Sequence, residues 1–135
     1  MGVFLSVRLS ETTCHLVHDA SQAQIRTTPP RDNGGDGTSF SPTDLMAAAL
    51  ASCALTTLAL IAAREGLTWG DASATLEKDM VGSPRRIGRL TVVFTMPRHT
   101  RVEQRPRLEE IAKTCPVALS LHPDVEVPMT FVYPD

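Results

Sequence analysis

Positive charge is in short supply. Thirteen Lys and Arg stand against fifteen Asp and Glu, for a formal net charge of -2 and a pI near 6.1. Such a chain has no field to draw in a polyanionic backbone, so nucleic acid is not an expected partner. The start MGVFLSVRLSETTC lacks a basic stretch, an apolar run and a small-residue cleavage site, and the expectation is a cytoplasmic protein. Only three cysteines occur, and none forms a Cys-x-x-Cys pair. His15, His18, His99 and His122 have no metal-ligand spacing with them, so no metal site is expected. The Gly-rich segment around Gly34 is not followed by the Lys-Ser/Thr of a phosphate-binding loop, and no nucleotide or other cofactor is expected. In a reducing compartment structural disulfides are rare, so each thiol is catalytic, metal-bound or inert.

What is present fits a soluble globular protein: 135 residues, 42% hydrophobic and 21% charged. That length predicts a single domain over residues 1–135. Val3, Leu5, Val7 and Leu9 alternate with Phe4, Ser6, Arg8 and Ser10, predicting a first strand with one buried face. Cys14 to His18 and residues 23–28 predict two more, closing an N-terminal antiparallel sheet ahead of a turn-rich loop that runs to about Ser39. Ser41-Pro42-Thr43-Asp44 is a capping-box start, predicting a helix from Pro42 with a stop at Gly66. No charge occurs in residues 45–63. A helix apolar on every side is buried or spans a membrane. The abundance of Ala, Ser, Thr and Cys, which add little to insertion, favours a buried core helix over a span.

Beyond it, Ala72 to Glu77 and Arg89 to Met96 alternate as two strands, joined as an antiparallel hairpin through Gly82-Ser83-Pro84-Arg85. Leu108, Ile111, Ala112 and Cys115 recur at spacings of three and four, predicting a shorter helix with Cys115 on its apolar face, which Pro116 kinks or restarts. Residues 125–133 alternate as a final strand. The whole is an α+β arrangement, with helices packed on antiparallel sheet.

Cys53 lies halfway along the long helix, too far from its N-terminus for the helix dipole to stabilise a thiolate. It is either a small core residue or a reactive thiol with a cation beside it. Arginine suits that second reading, because it stays protonated and offers several donors. Arg26 and Arg31, flanking the turn-rich loop, are the candidates, and sequence does not choose between them. Met46, Leu50 and Leu60 suit a pocket lining or a core equally.

Gly34-Gly35-Asp36-Gly37, then Ser41-Pro42-Thr43-Asp44-Leu45-Met46-Ala47-Ala48-Ala49-Leu50-Ala51-Ser52-Cys53, with Pro84-Arg85-Arg86-Ile87 and Cys115-Pro116-Val117 further on, resembles the OsmC/Ohr family of osmotically inducible and organic hydroperoxide resistance proteins. The resemblance implies antiparallel sheets packed on a long central buried helix, in an intertwined homodimer. It implies that Cys53 is a peroxidatic thiolate for a hydroperoxide substrate, that Cys115 resolves its sulfenic acid as a disulfide, and that an external dithiol resets the pair. One departure stands out. In the best-known peroxidase branches a Glu follows the helix-starting Pro and orients the active-site Arg, whereas Thr43 stands here, with Asp44 next. A non-catalytic stress protein that binds an apolar ligand or senses thiol state is the alternative from another class.

Overall fold

The computed structural model describes residues 2–135. Two compact units divide the chain, Met1–Met46 and Ala47–Asp135.

In the first unit, β1 (Leu5–Ser10), β2 (Thr13–His18) and β3 (Gln24–Thr27) form an antiparallel sheet in that order. Cross-strand pairing aligns Val7 with Leu16 and Leu16 with Ile25 in one apolar row. The alternation read from the sequence is real, but the expected buried face is not covered: Val7 is 62% exposed and Ile25 53%. Period two says which side chains share a face; it does not say what lies over them. A cleft of about 330 Å³ opens on this row, lined by Leu5, Val7, Leu16, Ile25 and Leu45 among others.

The loop after β3 is ordered by its own backbone. A short 3-10 turn, Arg31–Asn33, ends at Gly34 with φ +84°, and the amide of Gly35 donates to Pro30 O at 2.9 Å. A Cβ at residue 35 would sit 1.9 Å from the Pro29 carbonyl oxygen, so only glycine fits there. The Thr28 amide donates to Phe40 O at 3.0 Å and closes the loop at its base.

α1 (Pro42–Glu65) begins where the sequence places it. The Asp44 amide donates to Ser41 Oγ at 3.1 Å, and Asp44 Oδ2 accepts from the Ser41 amide at 2.9 Å, the reciprocal pair of a capping box. Ser41→Ala should cost about 1 kcal/mol, read as a lower denaturation midpoint with an unchanged slope. A midpoint equal to the parent's would show that the cap contributes nothing. At the other end Gly66 takes φ +68° and the Leu67 amide reaches back to Ala62 O at 2.9 Å, a Schellman stop.

In the second unit the core lies between one side of α1 and a mixed sheet. Leu50, Ala54, Leu58 and Ala62, spaced by four, are fully buried, and they join Leu90, Val92 and Phe94 in one apolar cluster. The central helix of the expected fold is buried along this stripe, though it is apolar on every side. Leu60, on the opposite side, is 52% exposed.

β4 (Ser73–Val81) and β5 (Arg86–Thr95) form the expected antiparallel hairpin. The final strand, β6 (Met129–Val132), departs from expectation by pairing parallel to β5, with Val92 opposite Met129 and Thr95 opposite Val132. Parallel neighbours need a long crossover, and residues 96–128 supply it through α2 (Arg105–Lys113) and α3 (Pro116–Ser120). The rings of Phe94 and Phe131 stack across that pairing with centroids 5.1 Å apart.

Candidate active site

Cys53 occupies the middle of α1, partly buried and packed against the apolar core. Cys115 is fully buried in the same core. Its position differs from the sequence reading. Spacing puts it on the apolar face of α2, yet α2 ends at Lys113 and Cys115 is extended, with φ -65° and ψ 156°, at the N-cap of α3. Proline disfavours the helical conformation in the residue before it, so Pro116 ends one helix and starts the next at its own N1 position. The apolar spacing correctly aimed the side chain inward; the local backbone is that of a corner between helices.

The crossover thus brings Cys115 to Cys53, and the two thiols feel each other. Burial pushes the Cys115 thiol above the ordinary cysteine value; the Ala118 amide pulls it down, and the Cys53 sulfur, as hydrogen-bond partner and as charge, pushes it up again. Cys115 is therefore a protonated thiol at neutral pH. The unfolded chain ionises its thiols near pH 8.5. With the folded value above that, the protonated form stabilises the fold fully below about pH 8.5, and the contribution is lost as pH rises through the folded value. Chemical denaturation across that range should show a steeper alkaline loss of stability in the parent than in Cys115→Ala; parallel curves would contradict the shift.

The corner is anchored from α2. Tyr133 Oη donates to Glu109 Oε2 at 2.6 Å, and the Arg105 guanidinium lies 4.2 Å over the Tyr133 ring. Burial first, then the Glu109 carboxylate, pushes the Tyr133 phenol well above its usual range, so it stays a donor. Arg107 adds an exposed ion pair to Glu65 at 2.7 Å, tying α2 to the end of α1. The Tyr133 contact carries no local signal in the sequence, because it depends on where β6 lands.

The other anticipated residues sort as follows. Leu50 is core, fully buried, whereas Met46 and Leu60 are about half exposed, so the three do not share one role. Arg26, exposed on β3, pairs with His15 in the sheet register. Arg31 Nε donates to Asp36 O at 3.1 Å, inside the loop. Both arginines belong to the first unit and both thiols to the second. Asp44 caps α1, as described. One neighbour of Cys53 was not anticipated: Thr57 Oγ1, one turn on, lies 3.9 Å from its sulfur. The i,i+4 spacing was visible in the sequence, but a threonine on an apolar helix carries no signal of its own.

The family profile described as OsmC-like protein matches residues 35–130. The chain belongs to this family. A structure from Psychrobacter arcticus, of a protein assigned to osmotic stress induction and detoxification, shares the OsmC-like fold at a TM-score of 0.88 and 32% identity, covering 94% of this chain and 93% of that one. An organic hydroperoxide resistance protein from Elizabethkingia anophelis superposes at 0.79 with 17% identity, over 98% and 96% of the two chains. An OsmC-like protein of unknown function from Vibrio cholerae gives 0.80 at 13%, over 98% and 99%. At those lower identities the likeness is one of fold. No curated protein matches the sequence.

Proposed function

We propose that this OsmC-like protein is a thiol-dependent hydroperoxide reductase. The observation that carries the reading is the meeting of Cys53 and Cys115 in one apolar core, the first partly accessible and the second buried and influenced by it. The Cys53 thiolate attacks the distal oxygen of an organic hydroperoxide. The O–O bond breaks, the sulfur is oxidised to sulfenic acid, and the alkoxide takes a proton and leaves as alcohol. The Cys115 thiol then gives up its proton as its sulfur attacks Cys53; the sulfenic hydroxyl leaves with that proton as water, and the disulfide forms. An external dithiol returns both thiols and is itself oxidised to a disulfide. The role of the Elizabethkingia anophelis relative, organic hydroperoxide resistance, is consistent with such a cycle.

The guanidinium that would assist Cys53 is assigned to Arg26 or Arg31, the two arginines bordering the Gly-rich loop, and a second copy of the chain completes the pocket. Apolar surface supports the homodimer: Leu5, Val7 and Ile25 on the sheet, and Met46 and Leu60 on α1, are each about half exposed or more. Burial of such surface contributes roughly 25 cal/mol per Å². Size-exclusion chromatography with light scattering should give twice the 14.6 kDa chain mass; a monomer at micromolar concentration would refute the dimer.

The deciding experiment mixes reduced protein with one equivalent of an organic hydroperoxide, counts free thiols and maps disulfides by mass spectrometry. Rapid loss of two thiols with a Cys53 to Cys115 link supports the enzyme. Both thiols free beside unconsumed peroxide would favour the second reading, an apolar-ligand binder, for which the cleft along Val7, Leu16 and Ile25 is the specific observation.

A further inference from the structure

A hydroxyl inside a helix ordinarily turns back to the carbonyl of the residue three or four before it. Two do so at helix ends here: Thr114 Oγ1, at the C-cap of α2, donates to Glu110 O, and Ser120 Oγ, last in α3, to Pro116 O, each at 2.8 Å. Thr57 does not. Its Oγ1 is turned to Cys53 Sγ at 3.9 Å, and that sulfur is the partner the structure gives it. Residues four apart share a helix face, so the pairing is set by α1 itself and does not wait on a loop or a distant strand. Both side chains are partly buried, in a stretch of helix that carries no charge from Leu45 to Ala63. A thiolate formed there lies several turns from the positive end of the helix, where the dipole has faded.

We infer that Thr57 is a catalytic group of the Cys53 site, donating its O–H to the ionised sulfur. The inference rests on the peroxidase reading and adds to it a residue that touches the reacting atom. An ionised sulfur has only lone pairs to offer, which fixes the direction of the bond: the hydroxyl gives and the sulfur accepts. The bond is at the long limit in the resting thiol and tightens when charge appears, as hydrogen bonds to ionised groups do. Thr57 keeps its proton throughout. No atom or electron passes through it, and its effect is to favour the anionic sulfur and to hold one of its lone pairs away from the incoming oxygen.

Two substitutions separate this role from simple packing. Thr57→Val keeps the shape and removes the donor; Thr57→Ser keeps the donor and removes a methyl. Each is placed in a Cys115→Ser background, so that only the first oxidation is read, and its second-order rate with an organic hydroperoxide is measured by the loss of the Cys53 thiol. A hydrogen bond to a charged group corresponds to a rate loss of about tenfold in Thr57→Val, while Thr57→Ser should stay within about twofold of the background rate. Circular dichroism and melting temperature check that both variants fold. Thr57→Val as fast as the background, or Thr57→Ser as slow as Thr57→Val, overturns the inference and leaves the peroxidase reading standing. A background protein inert to the hydroperoxide sinks both together.

Discussion

Cys53→Ser is expected to abolish hydroperoxide turnover, by at least about a thousandfold, because a serine hydroxyl is not ionised at neutral pH and oxygen cannot pass through the sulfenic state. Cys115→Ser should behave differently. It consumes close to one equivalent of peroxide per chain and then stops, since the buried partner that would close the disulfide is gone. The measurement is peroxide consumption against time, with and without an external dithiol, followed by intact mass. A gain of one oxygen on Cys53 in the Cys115→Ser protein, and none in Cys53→Ser, is the expected pattern. Equal turnover in the parent and in either variant would contradict the roles assigned here. Because the thiols act as a unit, the double variant should be little worse than Cys53→Ser alone.

The second large effect is on the fold. Phe94 is fully buried in the central strand β5, stacks on Phe131 of β6 and belongs to the cluster that includes Leu50, Leu58 and Cys115. Phe94→Ala removes its transfer energy and leaves a cavity, a cost of about 3–5 kcal/mol. For a chain of this size that is a fall in Tm of roughly 10–20 °C, measurable by calorimetry. Stacking with Phe131 adds to the loss, since aromatic pairs contribute about 0.5–1.5 kcal/mol beyond their area. A variant melting within a few degrees of the parent would mean that the core relaxes to fill the space. In that event the sheet is softer than its packing suggests.

How far the fold could be read from residues alone depended on how local the deciding chemistry was. The start and stop of α1 were legible to the residue, because Ser41, Pro42, Asp44 and Gly66 settle them within one turn. The β4–β5 hairpin was legible for the same reason. Strand direction at β6 was not: alternation is identical in parallel and antiparallel partners, and the choice is made by the crossover that precedes it. Cys115 illustrates the intermediate case. Its spacing with Leu108, Ile111 and Ala112 announced burial, which is a matter of which way a side chain points. Its backbone was fixed instead by the neighbouring proline. For the candidate site, the thiols were picked out by resemblance to a family, and the physical reason for their pairing, a buried Cys115 beside Cys53, came only with the packing. Thr57 stayed silent because an i,i+4 threonine usually serves its own helix.

The parallel placement of β6 has a consequence for the order in which the protein is assembled during synthesis. Cys53 and Cys115 both leave the ribosome before the strand that completes the sheet beneath them, and Tyr133, whose phenol fastens α2, emerges later still. Chains tend to fold from the N-terminal side as they are made. A nascent chain therefore holds both sulfurs while the clasp that registers them is missing, so exposure to oxidant at that stage favours mispaired or over-oxidised cysteine. Maturation of this protein is accordingly a race between completing its last strand and oxidation of its thiols.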